Sequence, residues 1–281
     1  MIISAAKKET TPAAVRIIRD IAGNLKLISE LSKNDLKKRF ADSYFGILWA
    51  FVSPIVTICV YWFIFTVGLR GTGNDVDGYP FVLWLIAGLI PWFLFSDIIT
   101  NGTNVLLEYA YLVKKIVFNV SILPVIKIVT ATAIHLILLL FTLLIFAGAG
   151  HFPDLYMLQI PYYILALWCF SAACVFMTSA VVLFFRDLGQ LVNIFMQVFI
   201  WITPIMWQDA QVAGTYPLLI GILRLNPMYY IVRGYRDAMI HHVWFWEDMG
   251  MTVYFWVVTI LLFILGSGIF VRLKPHFSDV I

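Results

Sequence analysis

Residues 128–146 read Ile128-Val-Thr-Ala-Thr-Ala-Ile-His-Leu-Ile-Leu-Leu-Leu-Phe-Thr-Leu-Leu-Ile-Phe146, nineteen in a row without an Asp, Glu, Lys or Arg. Coiled at about 1.5 Å per residue, such a run nearly crosses a hydrocarbon core of about 30 Å. Five further stretches have the same character: Ile47 to Leu69, Phe81 to Ile99, Ile160 to Phe185, Leu188 to Met206 and Met251 to Val271. Tyr216 to Leu225 is apolar but too short to cross. The fold class expected is therefore all-α integral membrane, with six transmembrane helices.

Composition agrees. The 281 residues are 62% apolar and 12% charged, where a soluble globular chain carries about 45–50% and about 25%. A soluble enzyme is excluded, and a net charge of +3 points to no nucleic-acid partner. Cys59, Cys169 and Cys174 lie within apolar runs and read as small buried hydrophobes. The first 46 residues lack a short apolar run with a cleavage site, so no signal peptide is expected and the first span itself targets the membrane.

Basic residues orient the chain. Summed over alternate loops, Lys and Arg number fifteen on one side of the membrane and four on the other. Both termini are then expected in the cytoplasm of a multi-pass plasma-membrane protein. The organisation expected is a cytoplasmic region 1–46, a transmembrane domain 47–272 and a cytoplasmic tail 273–281.

Three pieces outside the spans carry further signal. Ile18, Ile21, Leu25 and Ile28 recur among basic residues, which predicts one amphipathic helix from Val15 to Leu31 along the cytoplasmic face. Ser32 with Asp35 resembles a capping box that starts the next helix. The loop 104–124 contains a helical stretch from Glu108 to Phe118 that mixes Tyr109, Tyr111, Lys114 and Lys115. It reads either as an interfacial anchor or as the lever by which a partner's motion enters the membrane. The outer region 207–250 holds two short apolar helices joined at Asn226-Pro227, which read as a re-entrant hairpin. On its second half, Arg233 and Asp237 stand at i, i+4, suited to a local ion pair or to facing an anionic substrate.

Much chemistry is missing. No Walker A sequence occurs, nor HExxH, nor a Gly-x-Ser-x-Gly elbow. No metal site and no catalytic residues are expected, and the chain is not an enzyme by itself. His135, the only histidine in a span, reads as bonded to a neighbouring helix; Asp97, Asn193 and Gln197 must face protein or a pathway, because lipid would not tolerate them. They form no ion-coordination cluster, which weighs against a stand-alone secondary transporter. Aromatic residues at mid-depth, such as Tyr61 and Trp62, either pack helices or stack on sugar faces.

Several strings together resemble the membrane subunits of ABC-2 type polysaccharide exporters. They are Ser43-Tyr-Phe-Gly-Ile-Leu-Trp49 with Pro54, Leu112-Val-Lys-Lys-Ile-Val-Phe118 with Leu123-Pro124, Phe185-Arg-Asp-Leu188 with Gln190, Thr203-Pro204-Ile205, and Leu225-Asn-Pro227 with Tyr235-Arg236. Within that family, Asp75-Val-Asp-Gly78, Leu85-Ile-Ala-Gly88, Tyr229 to Arg236 and Tyr254-Phe-Trp256 look like the wall teichoic acid export permeases of Gram-positive bacteria. Asn119 departs from the proline that many relatives carry there.

The resemblance implies a type V ABC exporter-like fold, with a second copy of the permease and two ABC ATP-binding subunits that hold ATP and Mg2+. It implies no cofactor in this chain. Glu108, Tyr109, Tyr111, Lys114, Lys115 and Phe118 would couple to the ATPase. Tyr61, Trp62, Trp92, Phe95, Trp201, Arg224, Arg233 and Arg236 would line the substrate path. The cargo implied is a lipid-linked anionic glycan, a polyprenyl-diphosphate-linked teichoic acid, with an O-antigen or capsular polysaccharide as the alternative.

Overall fold

Prolines and short polar side chains mark where the helices begin. Pro124, Pro161, Pro217 and Pro227 occupy first-turn positions, where a missing N–H costs nothing. Asn226 and Asp248 accept hydrogen bonds from the backbone N–H groups of Met228 and Met251. The computed structural model describes residues 11–41, 44–70, 75–115, 118–209, 214 and 216–281, and among them every regular element is helical. Lys7 and Lys8, Ser43 of the first resemblance string, Ile116 and Val117 of the 104–124 loop, and 210–213 of the outer region lie outside the described residues.

In chain order the helices are α1 Ala13–Ala22, α2 Leu25–Ala41, α3 Trp49–Trp62 with a π-helical extension Phe63–Arg70, α4 Phe81–Thr103, α5 Val105–Glu108, α6 Ala110–Val113 and α7 Leu123–Gly148. There follow α8 Ile160–Val182, α9 Leu188–Ile202, α10 Pro217–Arg224, α11 Pro227–Arg236, α12 Met249–Leu273 and α13 Phe277–Val280. The protein is a multi-pass membrane protein, and among the described residues five helical stretches are long and apolar enough to cross.

α4 is apolar on all sides and buried along most of its length, so it forms the centre against α7, α8 and α11. α8 and α12 make the most extensive helix pair. Their close approach depends on Gly266, where an added Cβ would fall 2.5 Å from the carbonyl oxygen of Ala173. None of α3's residues is buried; Ile55, Val56 and Val60 present an apolar face outward. A second apolar cluster gathers Ile17, Ile28, Val105, Leu106, Phe270 and Phe277 at one end of the bundle. The elements nearest both termini therefore meet the 104–124 segment there, and the α10–α11 hairpin lies at the opposite end.

Four expectations change. The fifth expected span, Leu188 to Met206, is helical only to Ile202, and its 15 residues span about 22 Å, less than the hydrocarbon core. Pro204 ends it, since the residue before a proline leaves the α region; Thr203 is extended and buried. The single helix expected from Val15 to Leu31 is broken at Gly23-Asn24, where Asn24 Nδ2 donates to the carbonyl of Asp20. No helix starts at Ser32, because α2 runs through it and its hydroxyl donates instead to the Ile126 carbonyl. The helix expected from Glu108 to Phe118 is two single turns, interrupted at Tyr109, whose ring turns inward to be buried.

Candidate functional site: an aromatic groove and two polar ends

Helices α3, α4 and α9 frame a groove of about 740 Å³. On α9, Gln190, Asn193 and Gln197 follow at i, i+3 and i+7, so one helix face carries three amides into it. Ile200 and Trp201 extend that wall, and Tyr61 and Trp92 face it from α3 and α4. The rings of Tyr61 and Trp201 meet edge-on, with centroids 6.3 Å apart. Thr57, Ser96 and Thr100 add hydroxyls, and among the described residues no Asp, Glu, Lys or Arg lines it. Such a surface offers π-faces and neutral hydrogen-bonding groups.

Of the aromatics singled out from sequence, Tyr61, Trp92 and Trp201 come together here, and two do not join them. Phe95 is buried and stacks on Phe170 of α8 at 5.4 Å. Trp62 is exposed on the outer face of α3. Asn193 and Gln197 were visible in the sequence as polar residues in a span, and Gln190 only as part of the resemblance; the i, i+3, i+7 spacing that puts all three on one face was the signal passed over.

At the end that gathers α1, α2 and α13, an ion cluster with a buried Asp35–Lys127 pair joins three elements. Lys127 of α7, at 8% exposure, lies 2.7 Å from Asp35 of α2 and 2.7 Å from Glu108 of α5. Tyr109 donates its hydroxyl to the same Asp35 oxygen at 2.7 Å. Burial, and then that hydrogen bond, pushes the Tyr109 phenol well above its ordinary range, so it stays a donor. Tyr111, Lys114 and Lys115 point to solvent, and Lys38 lies over the rings of both Tyr109 and Tyr111. Phe118 is half-buried against the second apolar cluster. The 104–124 segment thus has an inner side of Tyr109 and Phe118 and an outer side of Tyr111, Lys114 and Lys115.

Sequence reasoning passed over Asp35 and Lys127, one read as a cap residue and the other as a loop charge. The available signal was Lys127 standing next to an otherwise uncharged apolar run, where a cation needs a partner.

At the opposite end, Arg236 is buried, and its guanidinium donates to the carbonyls of Pro204 and Ile205 at 2.6 Å each. It occupies a slot that exists because residue 88 is glycine: a Cβ there would come 2.6 Å from Nη2. Arg233 pairs with Asp237 at 3.5 Å and with Asp248 at 3.2 Å. Arg224 is exposed on α10. His241 bridges Asp237 and Asp77, at 2.7 and 3.2 Å. Asp77 is presented by a two-residue turn in which Asp77 and Gly78 both have positive φ. Arg233, Arg236, His241, Asp77 and Asp209 border a polar cavity of about 210 Å³. Between these ends, His135 pairs through Nε2 with the Tyr235 hydroxyl at 2.9 Å, the neighbouring-helix bond expected of it.

The family described as ABC-2 type transporter matches residues 26–240. Over 267 residues the chain is 25% identical to the O-antigen export system permease protein RfbA of Myxococcus xanthus, covering 95% of this chain and 100% of that protein. Over 257 residues it is 26% identical to the O-antigen export system permease protein RfbA of Klebsiella pneumoniae, covering 91% and 95%.

Proposed function

The chain belongs to the ABC-2 type transporter family, and from that premise we propose that it is the membrane permease of an ATP-driven exporter of a lipid-linked polysaccharide of the O-antigen kind. The observation that carries the cargo class is the groove of Tyr61, Trp92 and Trp201 with Gln190, Asn193 and Gln197. Aromatic faces and neutral amides suit sugar rings. Their binding stays shallow and repeated along a polymer, as a conduit requires.

The teichoic acid reading finds less support. A polymer with a phosphate in each repeat calls for cations along its path, and among the described residues none lines the groove. Of the three arginines considered for that purpose, Arg236 is spent on backbone carbonyls and Arg233 on two carboxylates. The full-length similarity to O-antigen export permeases points the same way. A wall teichoic acid remains the second reading, favoured by the local strings Asp75 to Gly78 and Tyr229 to Arg236.

On this reading both termini face the cytoplasm, and two ATP-binding subunits supply ATP and Mg2+ to a pair of permeases. Tyr111, Lys114 and Lys115 form the docking face for the ATPase, with Tyr109 and Phe118 anchoring it from within. The α10–α11 hairpin guards the outer exit.

The test is ATP hydrolysis by the permease reconstituted with its ATP-binding subunit. A neutral polyprenyl-diphosphate-linked glycan should stimulate it, and Trp201→Ala or Asn193→Ala should blunt the response without releasing the ATPase. Lys114→Glu with Lys115→Glu should release it. Stimulation by a teichoic acid precursor alone would reverse the order of the two cargoes. Failure to bind any ATP-binding subunit would remove the exporter reading.

A further inference from the structure

Asp35 and Arg39 stand four residues apart on α2 and share one face. From that face they reach different elements. Asp35 takes Tyr109 and Lys127, both buried with it, and Lys127 also pairs with the half-exposed Glu108. Arg39 makes a two-pronged pair with Asp97 of α4, Nη1 to Oδ2 at 2.8 Å and Nη2 to Oδ1 at 2.6 Å. Asn101 steadies Asp97 through a bond of 2.7 Å to Oδ1.

The Arg39–Asp97 pair lies where two cavities adjoin. One, of about 180 Å³, is bordered by Asp35, Lys38, Glu108 and Lys127. The other, of about 290 Å³, is bordered by Trp49, Phe93, Ser96, Thr100 and Leu138. Arg39, Asp97 and Asn101 border both. Phe93, Ser96 and Thr100 in turn border the aromatic groove as well. Three spaces thus follow one another through shared walls, and the ion pair stands between the charged one and the next.

We propose that the Arg39–Asp97 pair is an inner latch on the path into the aromatic groove, and that α2 carries displacement of the 104–124 segment to it through Asp35. The inference rests on the exporter reading for its purpose. Its mechanics follow from unequal bonds at the two ends of one helical turn. Around Asp35 the carboxylate and the Lys127 amine are 4% and 8% exposed, and pulling them apart strands a buried charge. At Arg39–Asp97 the side chains are 37% and 19% exposed, so water compensates both groups as they separate. When the segment moves, the Asp35 cluster follows as a unit and the Arg39 end gives way. Arg39 and Asp97 are positioning residues and need not touch cargo.

The test reads access and needs no glycan. Ser96→Cys serves as the probe in a full-length chain with Cys59, Cys169 and Cys174 replaced by alanine, in inverted membrane vesicles with a charged, membrane-impermeant thiol reagent. With the pair intact, modification should be slow. Arg39→Gln and Asp97→Asn should each speed it about tenfold, the population change expected when a charge-assisted pair of ordinary strength is lost. The swap of Arg39→Asp with Asp97→Arg should restore slow modification, a rescue that loosened packing alone would not produce. Equal rates in all variants that remain monodisperse after extraction overturn the latch. Faster modification in Arg39→Gln with none in Asp35→Asn keeps the latch and overturns its link to the segment. Loss of stimulation by any glycan, with Arg39→Gln and Asp97→Asn still modified faster and the swap still slow, would count against the exporter reading alone.

Discussion

The guanidinium carbon of Arg236 lies over the indole of Trp84, 3.4 Å from the ring centroid. Since its Nη1 and Nη2 also donate to the carbonyls of Pro204 and Ile205, this one side chain ties α11 to α4 and to the non-helical turn after α9. A planar, permanently charged group with forked donors suits that position, and an ammonium does not.

Arg236→Ala should therefore leave two carbonyls buried without donors, at about 1–3 kcal/mol for each. Arg236→Lys should recover little of the loss. Gly88→Ala should act through the same contact, since its methyl would occupy the place of Nη2, and the double variant should be no worse than Arg236→Ala alone. Apparent melting of detergent-solubilised protein checks all of these; full additivity would mean that Gly88 and Arg236 act separately.

Gly266 and Gly268 lie on the same helix and should respond oppositely to alanine. At Gly266 the new methyl meets the backbone of α8, whereas at Gly268 nothing lies within 4 Å. Gly266→Ala should lower the melting temperature by forcing α8 and α12 apart. Gly268→Ala should be neutral or gain up to about 1 kcal/mol from helix propensity.

Lys127→Met should be among the most damaging single changes, at about 3–5 kcal/mol, because it leaves Asp35 charged and buried. The triple variant Asp35→Leu, Tyr109→Phe, Lys127→Met removes the polar partners together and should regain most of that stability. It should still export poorly, having lost the tie between α2 and the 104–124 segment. Thermal melting beside transport separates the two effects.

The clasp that His241 makes between Asp237 and Asp77 should weaken as pH rises. The hydrogen bond to Asp237, set against the burial of the ring and joined by Asp77, holds the His241 imidazole above its ordinary value. The other charged groups around it are Arg233, itself paired with Asp237, and Arg236 and Asp209 across the same cavity. A raised folded value means that the stabilisation is fully present below the unfolded value of about 6.5 and is lost as pH climbs through the folded one. Protection of the amides in residues 75–79, taken relative to intrinsic exchange at each pH, should fall across that window. His241→Gln should make this protection independent of pH there, and an unchanged pH dependence of protection in that variant would dismiss the clasp.

The pattern of apolar runs, the basic excess on alternate loops and the Pro-marked helix starts belong to the sequence alone, since each depends on neighbours within a turn or on partition into lipid. From these came the helical membrane class, the α10–α11 hairpin and the aromatic and amide residues that a path requires. Phe95 and Trp92 are three residues apart and look alike in sequence, yet one packs on Phe170 and the other borders the groove. Arg236 and Arg233 are equally basic in sequence, yet one is enclosed by carbonyls and the other is shared by two carboxylates. Such differences are decided by contacts between residues as far apart as Asp35 and Lys127, or Trp84 and Arg236. Local periodicity says which residues share a face, but only the packed structure decides what that face meets, because the energy of a buried charge or ring is set by the groups that surround it.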